Sequence, residues 1–172
     1  MRKKKKKKWL IAVCIGAAVL LLAGAASLYI QLAPVAWVEG EAVDRRELAI
    51  FMESQRAAVI TQFRTEYSAV YDENFWYTVY DGLRPIDALR EQALTVLKRD
   101  KLALIVAKEL GIVDSVNYRQ FTKSLFEENK HRQEMHAAGG VIYGPIQYSE
   151  RDYYFHTLEN AMLASLDRKS VV

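Results

Sequence analysis

Histidine, cysteine and carboxylate side chains are the first candidates for chemistry in this 172-residue chain, and their spacing argues against most of it. His131 and His136 are five residues apart, so a helix turns them to different faces, whereas a helical zinc pair needs a separation of four. His156 belongs to another segment. Solvated or capping side chains are the expected state of all three, and no metal site is expected. Cys14 is the only cysteine, which excludes an intrachain disulfide and a multi-cysteine metal site. Glu127, Glu128 and Glu134 lie in the polar run "EENKHRQEMH" and read as a solvated face. No nucleophile elbow, phosphate loop or paired-cysteine motif is present. The sequence offers no catalytic residue and no reason for a cofactor, and an enzyme acting alone is not expected.

What remains with chemical character is aromatic. Phe75, Trp76, Tyr77 and Tyr80 form one group, and Tyr148, Tyr153, Tyr154 and Phe155 form another. Rings give much contact area for little loss of side-chain entropy, which suits a wall that meets apolar segments of another chain. Phe75, Trp76, Tyr77, Tyr80, Tyr148, Tyr154 and Phe155 are therefore the candidate peptide-binding residues. The competing reading is that they pack a loop and a helix onto the core. Met135 and Met162 could add adaptable surface, while Met52 fits the core better.

These residues need elements to position them. "AWVEGEAVDRREL" reads as a short extended piece turning near Gly40, then Asp44 as N-cap with Glu47 three residues on in a capping box. Leu48, Met52, Val59, Phe63 and Tyr67, widened by Phe51 and Ile60, predict a helix over 45–68. Pro85 suits the first turn of the next helix, over 85–110, with Ile86, Leu89, Ala93, Leu97, Leu104 and Ala107 on its apolar face and Gly111 as its stop. A third helix is expected from a cap at Asp114 or Ser115, anchored by Val116, Phe121 and Leu125 and ended by Gly139 and Gly140. Ser149 with Asp152 caps a fourth, carrying Tyr154, Leu158, Met162 and Leu166. Long helices with few residues to enclose a core tend to leave an apolar groove uncovered.

The start of the chain sets the expected location. Residues 1–8 carry seven of the 24 basic residues, so the remainder holds 17 against 21 acidic ones. A mildly acidic body does not attract nucleic acid. Trp9 to Ile30 is 22 uncharged residues, about 33 Å as a helix, long enough for a hydrocarbon core of roughly 30 Å. The expected organisation is a cytoplasmic basic segment at 1–8, a single-pass transmembrane signal-anchor at 9–33 in the cell membrane, and an extracytoplasmic helical domain at 34–172. Cleavage after Ala23-Gly24-Ala25 is the alternative, and it too exports the body. A lipoprotein signal ending at Cys14 is disfavoured, because Val13 precedes it and only five residues separate it from the last lysine.

"VAWVEGEAVDRREL", "ALREQALTVLKRDKLALIVAKELGIVDS" and "YGPIQYSERDYYFHTLENAMLASL" together resemble the N-terminal helical domain of SurA-type and PrsA-type foldases, which is related in shape to the substrate-binding region of trigger factor. The likeness runs from Val35 to about Lys169. It departs from the family in having Asp44 where Ser or Thr is commoner, and in having no parvulin-type prolyl isomerase domain. With the transmembrane helix read from the start of the chain, the expected fold is mainly α: that helix followed by a small multi-helix domain with a short extended lead-in, which the resemblance implies is SurA N-terminal-like. The resemblance also implies a chaperone-like module that binds unfolded exported polypeptides without isomerase activity of its own. The alternative is a structural or regulatory adaptor for one dedicated membrane or secreted partner.

Overall fold

The computed structural model describes Leu20, Leu21, Gly24 and residues 33–170. The chain divides between Pro34 and Val35 into two units. In the first, Leu20, Leu21 and Gly24 are helical. In the second, the order is β1 (Ala36–Val38), β2 (Glu41–Val43), α1 (Arg45–Tyr67), α2 (Pro85–Glu109), α3 (Tyr118–Ala137) and α4 (Glu150–Ser170).

One expectation is corrected at this level. Among the described residues no helix is long and apolar enough to cross a membrane. α1 to α4 each interleave acids and bases with their apolar stripe, so none offers an uncharged run of the required length. The described residues form a mainly helical body, and among them there is no membrane-spanning helix. Apart from Leu20, Leu21, Gly24 and Ala33, the segment 9–33 lies outside the described residues, as does the basic segment 1–8.

The extended lead-in is a complete antiparallel hairpin, with Ala36 opposite Val43 and Val38 opposite Glu41. Its two-residue turn places Glu39 at φ 46° and Gly40 at φ 79°, the left-handed pair that matches the twist of the flanking strands. Val38 and Val43 face the core.

α1 starts as its capping box predicts: the Asp44 side chain accepts from the Arg46 N–H at 2.8 Å, and Glu47 reaches back to the Asp44 N–H. α2 starts at Pro85 and is followed by Gly111 at φ 66°. α3 begins later than expected. Its cap is Asn117, whose side chain accepts from the Arg119 and Gln120 N–H groups, so Val116 precedes the helix. α4 is capped by Ser149, whose Oγ accepts from the Asp152 N–H at 3.1 Å.

The core has two apolar clusters, and α1 feeds both. Leu48, Ile50 and Phe51 pack with the hairpin, with Leu97 and Leu104 of α2, and with Tyr154 and Leu158 of α4. Val59 and Phe63, further along α1, pack with Phe75, Ala88 and Leu89. Met52 lies half-buried between them. On α4 the buried stripe is Tyr154, Leu158 and Ala161. Met162 and Leu166, carried on the same helix, are 46% and 65% exposed.

Candidate functional site

The deepest polar feature of the body is an ion pair. Lys101 lies on the apolar face of α2 between Leu97 and Leu104, and Glu47 on the inner face of α1; neither has measurable solvent contact beyond 1%. The Lys101 ammonium donates to Glu47 Oε1 at 2.8 Å and Oε2 at 3.1 Å, and to the Val116 carbonyl at 2.7 Å. The Tyr154 hydroxyl donates to Glu47 Oε1 at 2.7 Å. Burial, then the nearby Glu47 charge, pushes the Tyr154 phenol far above its ordinary range. No buried side-chain polar atom lacks a partner among the described residues, so the arrangement is fully satisfied.

Beside this pair is a hollow of about 250 Å³. Its walls are Leu104 of α2, Ile112 and Val113 of the following connection, Tyr118 and Phe121 of α3, and Tyr153 and Tyr154 of α4, with Glu47 at its base. The rings hold one another. Phe121 lies 5.2 Å from Tyr154, 5.5 Å from Tyr153 and 5.4 Å from Tyr118, measured between centroids. Ser115, Gln120, Ser124 and Thr157 give the walls hydroxyl and amide groups. Tyr118 is fixed from behind: its hydroxyl donates to Glu150, which Arg46 pairs at 2.8 Å. Burial, then the bond to Glu150, raises the Tyr118 phenol.

The aromatic residues singled out from the sequence divide between core and surface. Phe75 has no exposed surface and packs against Trp76, Tyr71 and Phe63. Tyr80 is half-buried beside Phe63, held by a tight turn in which the Tyr80 N–H donates to the Leu83 carbonyl at 2.8 Å. Trp76 lies under the Arg56 guanidinium at 4.9 Å, and Tyr77 is 70% exposed. With Met52, Ile86 and Leu89 these two line a more open hollow of about 580 Å³.

In the second group, Tyr154 is buried and hydrogen-bonded, and Phe155 packs on Phe51. Tyr148 stacks on His156 and lies 4.6 Å beneath the Arg132 guanidinium. The two groups are not brought together: Phe75, Trp76 and Tyr80 join the Phe63 cluster, Tyr154 and Phe155 join the Phe51 cluster, and no ring contact links the groups among the described residues. Of the seven residues, only Tyr154 lines the hollow beside the ion pair.

Sequence reasoning missed Tyr118, Ile112 and Val113 as wall residues and Lys101 as a buried cation. The signal for Lys101 was present, since it occupies the stripe position between Leu97 and Leu104 and a lysine there requires an acidic partner. Among the described residues no group of His, Cys, Asp or Glu is arranged to hold a metal ion. Compared with known proteins, the chain matches no protein-family model, no curated protein and no solved structure.

Proposed function

We propose that residues 35–170 form a polypeptide-binding module that takes single apolar side chains of unfolded exported chains into the aromatic hollow between α3 and α4. The observation that carries this reading is the size and lining of the hollow. At about 250 Å³ it falls below the roughly 300–1,000 Å³ of drug-sized sites. Such a space suits one side chain delivered by a longer chain, whose backbone would meet Gln120, Ser124 and Thr157 in the walls. The likeness of the quoted segments to SurA-type and PrsA-type peptide-binding domains supports the same reading from sequence. So does the apolar stretch Trp9–Ile30, which would direct the body out of the cytoplasm.

Binding of this kind is weak and reversible, needs no ATP, and would delay aggregation rather than fold the client. The protein should suppress aggregation of a heat-unfolded model protein at equimolar ratio, and Ser124→Trp, which fills the exposed side of the hollow, should abolish suppression. Aggregation undiminished at several-fold excess ends the proposal. Crosslinking in intact cells separates it from the adaptor reading: many captured chains are expected, and one dominant product means a dedicated partner. Proline isomerisation by the isolated body should be flat.

A further inference from the structure

A buried ion pair is an uncertain source of stability, because desolvating two charges offsets most of their attraction; a well-packed apolar pair often does as well. The position of Lys101 and Glu47 suggests what else they do. Glu47 belongs to α1, Lys101 to α2, Val116 to the connection before α3, and Tyr154 to α4. One set of hydrogen bonds of 2.7–3.1 Å ties all four together. Each of these segments borders the hollow.

Val116 is buried in the core with Ile112 and Val113 packed against it, and the connection has few polar anchors besides this tie. Its first part is held by the Ile112 N–H donating to the Ala107 carbonyl at 2.9 Å. From Val113 to Val116, the bond from Lys101 to the Val116 carbonyl is the one that reaches another element among the described residues. The remaining local bond, from the Asn117 N–H to Ser115 Oγ at 3.1 Å, only shapes the turn.

We infer that Lys101, with Glu47 and Tyr154, is a positioning group for the hollow: it holds the 113–116 wall at a fixed separation from α4 and so sets which side chains enter. This rests on the polypeptide-binding reading above. Lys101 touches no client in this scheme and acts through the Val116 peptide.

The test uses the full chain carrying Lys101→Met with Glu47→Gln, which removes the tie while keeping an acceptor for Tyr154. Amide exchange at Val113, Val116 and Asn117 should quicken about tenfold while amides within α1 and α2 keep their rates. Affinity for fluorescein-labelled, reduced α-lactalbumin, a permanently unfolded probe, should fall about tenfold. Lys108→Met, on the same helix as Lys101, breaks a surface pair with Glu41 of β2 and should change neither.

Unchanged exchange and unchanged probe affinity overturn the inference, and so does faster exchange with full affinity. If the unsubstituted protein binds no probe, the binding reading falls, and this inference with it; exchange at 113–117 then reports only whether Lys101 orders the connection. Should the double variant lose its helical circular dichroism, Glu47→Leu, Lys101→Met and Tyr154→Phe combined gives an apolar replacement on which the same two readouts decide.

Discussion

Lys101 and Glu47 show how much a single side chain depends on its partner. Truncating the lysine alone leaves a carboxylate 1% exposed with no cation beside it, so Lys101→Ala should cost about 3–5 kcal/mol in urea unfolding. Tyr154→Phe removes one charge-assisted bond to Glu47 and should cost about 1.5–3 kcal/mol. A double-mutant cycle between the two should be non-additive, because both act on the same carboxylate. The phenols give a pH signature. Tyr118 and Tyr154 have raised pKa values in the folded state, so the native protein keeps protons that the unfolded chain releases. Their contribution is intact below the ordinary phenol pKa of about 10 and is lost as pH rises beyond it, with a slope of about 1.4 kcal/mol per unit for each. Tyrosinate absorbance should show these two of the ten tyrosines ionising only as the fold opens, and Tyr118→Phe with Tyr154→Phe should flatten the loss of stability. Part of this was legible in the sequence, since Lys101 interrupts an apolar stripe. Its partner was not, because Glu47 already had a sufficient role as the third residue of a capping box.

Helix boundaries were legible wherever the signal was local. Asp44 with Glu47, Pro85, Gly111 and Ser149 with Asp152 all mark ends set by neighbours a few residues away. The start of α3 was misplaced because a distant group decides it. A cap at Asp114 would draw the Val116 carbonyl into the helix's own ladder, but that carbonyl accepts from Lys101 instead. The chain stays extended through 116, and Asn117 becomes the cap. Asn117→Ala should therefore cost about 1 kcal/mol, whereas Asp114→Ala should cost only a few tenths, by thermal unfolding. Equal losses would place the cap where the sequence alone suggested. On α4, spacing allows Met162 and Leu166 as well as Ala161 beside Leu158; Ala161 is buried, while Met162 and Leu166 border an open hollow with Ala103 and Val106 of α2.

At the scale of the whole body, the two aromatic groups could not be ordered from sequence, because either could have packed on the apolar stripes of α1 and α2 and closed a single core. α1 is long enough to serve two clusters, so Phe75 and Tyr80 complete one end while Tyr154 and Phe155 complete the other. The segment 138–149 lies outside both: none of its residues is buried. What fixes it is Arg132 of α3. That guanidinium donates to the Tyr143 carbonyl at 3.0 Å and the Pro145 carbonyl at 2.9 Å, covers the Tyr148 ring, and is itself held by Glu128 at 2.7 Å. Asn129 adds a reciprocal pair with the Tyr148 backbone at 2.7 and 3.0 Å. Such a segment should open independently of the core, at a cost set by these polar contacts and by the packing of Tyr148 on Tyr153 and His156. Arg132→Ala should then make 138–149 the first site of limited proteolysis and quicken its amide exchange, while the urea midpoint of the body stays nearly fixed. Arg132→Lys should restore little, because an ammonium cannot reach two carbonyls and cover a ring from one position as the planar fork does. A large fall in the midpoint for Arg132→Ala would mean instead that this loop is part of the cooperative core.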